Sequence, residues 1–338
     1  MTTTYRLVMI GFGSVGQGFA QILQRRAAWL EEQYGVALRL VGVGTRSWCS
    51  YDPAGLVPGA LLDAAAGRGQ PPAPQAWSPL ELVARAEADV LVEVSSTDLG
   101  TGEPATSHIR TAFGRGMHVV TANKGPIALH GRALLAEAVA AGRSLGFEGT
   151  VMSGTPALRL GWSALAGSDL RAVRGIVNGT TNYILSQMDG GAPYAEALAE
   201  AQRLGYAETD PTGDVEGHDA AGKAVILANM LLGGALRPGD VEREGITRLT
   251  PADIAAAHAA GERWKLLAHV AREGGRVTAS VRPVRLPASH PLASVGGATN
   301  ALTFDTDLLG EVTLIGPGAG GVATGFALLS DILALPRD

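Results

Sequence analysis

The sequence predicts an α/β protein of two domains: a Rossmann-type doubly wound parallel sheet, then an α+β domain, with a C-terminal helix that returns to the first. Three observations carry this expectation. A β-rich run, Tyr5–Ile10, passes directly into Gly11-Phe12-Gly13-Ser14-Val15-Gly16 and then into a segment of helical period, Val15 to about Gln33. Apolar strand-like runs then alternate with helical ones as far as about residue 148, the pattern of a parallel sheet. Beyond it, the strand-like runs Ala301–Asp305 and Glu311–Ile315 are separated by too few residues for a helical crossover, so antiparallel pairing is expected. These signals place the boundaries at 1–148 with 316–338 for the first domain and 149–315 for the second.

Composition narrows the class. The chain has 338 residues, enough for roughly two domains, and is 46% hydrophobic and 17% charged with 46 glycines. The net charge of -5 and the lack of a basic stripe argue against a nucleic-acid partner. Cys49 is the single cysteine, which excludes an internal disulfide framework and fits a reducing, cytoplasmic compartment. No charged-then-apolar leader precedes the first strand, and the longest apolar run, around Ala224–Leu232, is too short to cross a bilayer, so no membrane role is expected.

In the first half, the glycines of Gly11–Gly16 permit a tight turn and a close approach of backbone to a pyrophosphate, which a helix N-terminus stabilises. Gly11, Phe12, Gly13, Ser14, Val15 and Gly16 are therefore cofactor-binding candidates. After the second strand, Leu38–Val43, an acid would be expected to hold the ribose of NAD, yet the chain reads Gly44-Thr45-Arg46-Ser47 with no acid before Asp52. Arg46 suits a 2′-phosphate, which favours NADP and leaves NAD as the alternative; a solvent-facing arginine is the other reading. Trp48–Trp77 reads as an irregular connection with one short helix. Ser78-Pro79-Leu80-Glu81 is a helix start with cap, proline and capping-box acid in place. Asp89–Val94 reads as a buried parallel strand ending in Ser95-Ser96-Thr97. A helix around Thr106–Arg115 leads to the strand Met117–Thr121, which empties into Ala122-Asn123-Lys124-Gly125-Pro126. Lys124 thus falls at the strand-end edge where ligands bind in such sheets, or is a snorkelling surface lysine. A helix at about Gly131–Ala141 and the strand Ser144–Glu148 complete the domain.

The second half opens with Glu148-Gly149-Thr150-Val151-Met152-Ser153-Gly154-Thr155-Pro156, a turn-rich junction whose glutamate and carbonyls suit either a hard cation or a structural turn. A strand at Arg174–Asn178, helical segments at Tyr183–Met188 and Tyr194–Leu204, a long helix Pro251–His269 and a strand Arg276–Leu286 are expected. Between them lies Leu204–Lys223, LGYAETDPTGDVEGHDAAGK, which holds Glu208, Asp210, Asp214, Glu216 and Asp219 and then one cation, Lys223. Glu208–Gly213 reads as a loop and Glu216 or Gly217 to about Leu232 as a helix, on which Asp219 and Lys223 are spaced i,i+4 and share a face. Two readings are open: a solvated acidic loop with a surface ion pair, or a polar pocket with a positioned lysine.

Over nearly its whole length the chain resembles homoserine dehydrogenase. GFGSVG, TANKGP, EGTVMSGTP, NGTTNYIL, LGYAETDPTGDVEGHDAAGK and the terminal GPGAGG occur in that order, the acidic block being the most specific. The resemblance implies reversible NAD(P)H-dependent reduction of L-aspartate 4-semialdehyde to L-homoserine, in threonine and methionine biosynthesis. It implies that Lys223 is the acid/base, that Asp219 holds it, and that Lys124 is a second candidate for proton transfer. Glu208, with Asp214 and Lys223, would bind the substrate. Gly320, Ser96 or Thr97 and Lys124 would touch the cofactor. Glu148 with the carbonyls of Val151, Ser153 and Thr155 would match a site for a monovalent cation, Na or K; Met152-Ser153 stands where the family more often has Gly-Ala. A homodimer formed through the second domain is implied, and the sequence reaches Asp338 with neither a C-terminal regulatory extension nor a fused kinase.

Overall fold

The computed structural model describes residues 2–336. Two compact units are present, Met1–Gly154 with Ala319–Asp338, and Thr155–Gly318. In the first the chain runs β1 (Thr3–Ile10), α1 (Ser14–Tyr34), β2 (Val36–Gly44), β3 (Cys49–Tyr51), α2 (Pro58–Ala65), β4 (Pro74–Gln75), α3 (Pro79–Arg85), β5 (Val90–Glu93), α4 (Ala105–Gly114), β6 (His118–Thr121), α5 (Lys124–Ala140) and β7 (Leu145–Gly146). The strand order is β4-β3-β2-β1-β5-β6-β7. Strands β2 to β7 in that order are parallel, while β3 and β4 add an antiparallel edge.

Side-chain alternation explains why the strands read as unbroken apolar runs. Leu7 and Met9 of β1 enter one cluster with Phe19 and Leu23, while Val8 and Ile10 enter another with Leu82 and Ile109 on the opposite face. A strand buried on both faces has no position left for a polar residue. Each such fully buried aliphatic side chain contributes about 1.5–3 kcal/mol.

The second unit contains α6 (Ala157–Arg159), β8 (Leu170–Ile176), α7 (Gly179–Asp189), α8 (Tyr194–Arg203), α9 (Thr212–Val215), α10 (His218–Leu231), β9 (Glu242–Arg243), α11 (Pro251–Ala259), β10 (Glu262–Glu273), β11 (Arg276–Pro287), β12 (Thr299–Thr306) and β13 (Gly310–Pro317). Its strand order is β13-β12-β8-β10-β11-β9, antiparallel throughout except for β9 beside β11. The chain closes with α12 (Gly321–Leu333), which belongs to the first unit and packs along α1. That packing is close: a Cβ on Gly18 would lie 2.2 Å from the backbone of Gly321.

Several expectations need correcting. The long helix expected over Pro251–His269 stops at Ala259, and Glu262–Glu273 is a strand paired along its whole length with β11. Gly261, at φ 71°, ends the helix, and Gly274-Gly275, at φ 55° and 80°, form the two-residue turn that specifies a hairpin. The apolar run Leu266–Ala268 suits either period, so the glycine pair was the deciding signal. The helix expected at Gly131 begins at Lys124, because Asn123 caps it and Pro126 is tolerated in the first turn. The connection expected to be irregular carries β3 and β4. The expected strands Arg174–Asn178 and Ser144–Glu148 are Leu170–Ile176 and Leu145–Gly146, and the loop expected over Glu208–Gly213 ends in the single turn α9.

Lys265 on β10 is 4% exposed. Its ammonium donates to the carbonyl of Val295 at 2.6 Å and to Asn182 Oδ1 at 3.1 Å. The amide nitrogen of Asn182 in turn donates to the carbonyls of Val295, Gly297 and Thr299. Strand, helix α7 and the loop before β12 are thereby tied at one polar knot. Burial lowers the Lys265 pKa from 10.5 to about 8, with Asp189 opposing and Arg263 adding to the effect. Between about pH 8 and 10.5 the unfolded chain therefore holds a proton that the folded chain has released, so stability rises with pH across that window. At 1.36 kcal/mol per pH unit the rise amounts to about 3 kcal/mol. Urea unfolding from pH 7.5 to 10.5 should show this component in the wild type and not in Lys265→Met.

Candidate active site

In the second unit the acidic block folds around Lys223. Helix α10 is buried along most of its length, and Lys223 sits in its second turn with a side chain 10% exposed. Its Nζ donates to Asp219 Oδ2 at 2.7 Å and to the carbonyl of Val177 at 2.6 Å. An ammonium has three donors; the third has no partner among the described residues. Asp219 lies in the first turn of α10, where a carboxylate is favoured by the helix dipole and stands four residues before the lysine. Asn178, at the N-cap of α7, organises the acids. Its Nδ2 donates to Asp214 Oδ1 at 2.7 Å and to Asp219 Oδ2 at 3.0 Å, while its Oδ1 accepts from the backbone N–H and hydroxyl of Thr181. Burial raises the pKa of Asp214; the Asn178 bond opposes that, neighbouring Asp219 reinforces it and Lys223 opposes it. The structure thus brings Asp214, Asp219 and Lys223 together. Glu208 is exposed in the loop between α8 and α9, where its main-chain carbonyl accepts from Gln202, and the Thr180 hydroxyl holds the same loop at the carbonyl of Tyr206.

In the first unit the glycine turn has the geometry a dinucleotide needs. Gly11 has φ 100° and a Cβ there would stand 2.3 Å from the carbonyl of Val94, so no other residue fits. A Cβ on Gly13 would meet nothing within 4 Å, and Gly13 offers α1 no side-chain cap. No side chain caps the first N–H groups of α1, which leaves them available in the way an anion site requires. Phe12 packs edge-on against Trp48, ring centroids 5.7 Å apart. A Cβ on Gly321 would lie 2.3 Å from the carbonyl of Ser14, so the turn at Gly320-Gly321 borders the same helix start. Ser96 and Thr97 are exposed in the loop leaving β5, and Lys124 is the first residue of α5 after its cap, Asn123. Arg46 is exposed in a turn closed by the Thr45 hydroxyl, which accepts from the N–H groups of Ser47 and Trp48. The next acid along the sequence, Asp52, accepts from the N–H of Ala54.

Comparison with known proteins identifies the chemistry. The model for the family described as homoserine dehydrogenase matches residues 156–333, and that described as homoserine dehydrogenase, NAD binding domain, matches residues 11–148. The chain belongs to the homoserine dehydrogenase family. An NAD(+)-dependent homoserine dehydrogenase of Pseudomonas canavaninivorans is 46% identical over 98% of this chain and 96% of its own. The homoserine dehydrogenase of Methanocaldococcus jannaschii is 38% identical over 97% of both chains. Among solved structures, that of a homoserine dehydrogenase from Thiobacillus denitrificans superposes with a TM-score of 0.85 at 34% identity, covering 98% of this chain and 73% of that one. A hyperthermophilic archaeal homoserine dehydrogenase mutant in complex with NADPH gives 0.83 at 32% identity, covering 98% of this chain and 97% of that one.

As a homoserine dehydrogenase the chain is an oxidoreductase with an NAD-binding domain and a small-molecule substrate, and no helix among the described residues is long and apolar enough to cross a membrane. The cation candidates start at Glu148, buried at 3% exposure at the head of a single 3₁₀ turn. Val151, Ser153 and Thr155 are buried as well. Met152 and Ser153 have φ 55° and 54°, the left-handed region that Gly would occupy without cost, so this chain bears strain there. Among the described residues no group of three or more His, Cys, Asp or Glu is placed to hold a metal. A cation held at these residues would have one carboxylate and main-chain carbonyls as ligands, the donor set of a hard ion.

The sequence did not single out Asn178 or the carbonyl of Val177, yet they hold the cluster together. The available signal was an asparagine directly before a helix start, whose acceptor end caps and whose donor end stays free. Because the folded pKa of Asp214 is raised, the folded protein binds a proton that the unfolded chain has lost, and stability falls as pH rises through the folded value. Asp214→Asn keeps the acceptor for Asn178 and removes the ionisation. It should melt higher than the wild type at pH 8, and the gap should close as the pH approaches 4.

Proposed function

We propose that the chain catalyses the reversible NAD(P)H-dependent reduction of L-aspartate 4-semialdehyde to L-homoserine, with Lys223 as the acid/base. The observation that carries the assignment is the uncommitted N–H of a buried lysine whose other two donors are fixed by Asp219 and Val177. Carbonyl reduction needs a proton on the developing alkoxide, and a positioned cation supplies both the proton and charge stabilisation. The bound dinucleotide supplies the hydride. Asp219 orients the ammonium, Asp214 and Asn178 shape the polar wall around it, and Glu208 offers a carboxylate to the ammonium group of the amino acid. Lys124, near the carboxyl end of β6, is the second proton-transfer candidate.

The residues around Gly11–Gly16, Ser96, Thr97 and Gly320 fit a dinucleotide. Arg46, with no acid after β2 before Asp52, supports NADP; the NAD(+)-dependent relative at 46% identity supports NAD as the second reading. Glu148, Val151, Ser153 and Thr155 would hold a sodium or potassium ion. A homodimer is supported by the exposed apolar residues of the hairpin joining β12 to β13, Leu308, Leu309 and Ile315. A place in threonine and methionine biosynthesis follows from the proposed reaction, and a cytoplasmic setting is supported by the single free thiol, whose pKa burial pushes up to about 11.

Oxidation of L-homoserine by the purified protein, with NADP and with NAD, tests this reading. Lys223→Ala should lower kcat by about 10²–10⁴-fold, the range for loss of a general acid, with dinucleotide affinity nearly unchanged. Arg46→Ala in the same assay should raise KM for NADP and leave that for NAD alone. Near-normal turnover by Lys223→Ala would remove it as the proton donor.

A further inference from the structure

We propose that Glu93, Ser95 and Asn123 form a positioning relay that holds the loop leaving β5 and the first turn of α5 in a single geometry, and so fixes Lys124 beside the cofactor for the proton transfer that accompanies hydride transfer. The proposal rests on the reading that Ser96, Thr97 and Lys124 serve cofactor and reaction.

Glu93 ends β5 and is 0% exposed. The cluster on its side of the sheet contains Leu91, Ile109 and Ala112, so an apolar side chain would suit the packing better than a carboxylate. Its Oε1 accepts the Ser95 hydroxyl at 2.5 Å and the Ser95 backbone N–H at 3.3 Å, with His108 Nδ1 at 3.5 Å. Its Oε2 has no hydrogen-bond partner. One oxygen of this acid thus serves Ser95 of the loop and faces His108 of α4, and the other has no partner among the described residues. What the carboxylate does that an apolar residue cannot do is face the buried His108 and hold Ser95, and the bonds to Ser95 are the shorter.

Ser95 passes the constraint to the next strand end. The Nδ2 of Asn123 donates to the carbonyl of Ser95 at 3.2 Å, to its hydroxyl at 3.4 Å and to the carbonyl of Ser96 at 3.3 Å. The Oδ1 of Asn123 accepts from the N–H of Gly125 at 3.1 Å, which caps α5 one residue before Lys124 turns into the helix. A parallel route uses the backbone: the Thr121 hydroxyl donates to the carbonyl of Glu93 at 2.8 Å and accepts from the N–H of Asn123 at 2.9 Å. The loop has no slack on either side. A Cβ on Gly11 would stand 2.7 Å from the N of Ser95, and one on Gly125 would stand 2.3 Å from the carbonyl of Asp98.

Asn123→Asp separates positioning from capping, since a carboxylate still caps α5 but cannot donate to the carbonyls of Ser95 and Ser96. Ser95→Ala removes the 2.5 Å bond without touching the backbone. Full-length variants would be assayed for homoserine oxidation with unlabelled substrate and with substrate deuterated at the carbinol carbon, and melted in parallel. The expected result is a kcat about 10–100-fold lower in Asn123→Asp, since small misplacements of reacting groups cost that much, and a smaller loss in Ser95→Ala. Both should show a larger deuterium effect than the wild type and a homoserine KM within about threefold. Wild-type kcat and isotope effect in both folded variants would overturn the relay, and so would lost turnover with an unchanged isotope effect and a lowered Tm. Lys124→Ala in the same series separates the two layers: wild-type turnover there removes the underlying reading of Lys124, whereas its loss beside intact Asn123→Asp and Ser95→Ala removes the relay alone.

Discussion

A lysine ammonium inside a buried helix is the constraint on which the second unit depends. Taking such a charge out of water costs several kcal/mol unless it is paired and hydrogen-bonded. Helix α10 supplies no polar residue near Lys223 except Asp219, one turn earlier. The remaining compensation comes from outside the helix: the carbonyl of Val177 at the end of β8 and the amide of Asn178 on the shared carboxylate. The end of β8 and the cap of α7 must therefore meet the second turn of α10. Removing any one of these groups leaves the charge short of a partner, which costs more than any single apolar contact in the unit contributes. Two carboxylates near one ammonium would otherwise repel. Asn178 relieves this with a single neutral donor bonded to both Asp214 and Asp219.

The first unit solves a different problem, that of bringing bare backbone N–H groups to a surface. Its device is steric. Gly11 lies under the carbonyl of Val94, and a Cβ on Gly16 would stand 2.6 Å from the carbonyl of Gly11, so chain turn and helix start lock together without side chains. The open space at Gly13 is the outcome: a helix of 21 residues whose first amides carry no cap. For a residue there to cap the helix would be locally stabilising by about 1 kcal/mol, and its absence is what keeps the amides free for an anion.

Legibility in the sequence followed the range of the interactions. The glycine turn, the buried parallel strands, the capping box at Ser78 and the i,i+4 pair of Asp219 and Lys223 depend on neighbours within a few residues, and all could be read from local pattern. The same holds for the antiparallel pairing of β12 with β13, which a three-residue connection enforces. What escaped depended on distant partners or on a tie between periods. Leu266-Leu267-Ala268 continues a helical pattern as well as a strand pattern, and the pairing with β11 that the Gly274-Gly275 turn sets up decides it. Asn178 lies 36 residues from Asp214 and 41 from Asp219, so its place before a helix marked it as a cap but nothing local named its partners. Glu93 was read merely as part of an apolar strand, because the residue that makes sense of it, Asn123, is brought near by the pairing of β5 with β6.

Three asparagines share one logic. Asn123 and Asn178 each cap a helix with Oδ1, and Asn182 lies one turn inside α7. In each case the other end of the amide reaches a different segment: loop carbonyls after β5, two acids of the block, or two carbonyls before β12 and one at its start. An aspartate at either cap would hold the helix as well but would repel carbonyls and carboxylates alike. A serine cap is too short to reach past its own turn. Only a neutral side chain with a donor and an acceptor on opposite edges can end one element and grip another. Such a residue adds no charge to a site where charge decides the chemistry. Where an asparagine directly precedes a helix that follows a strand end, the free edge of its amide therefore points to the segment whose position that helix start controls.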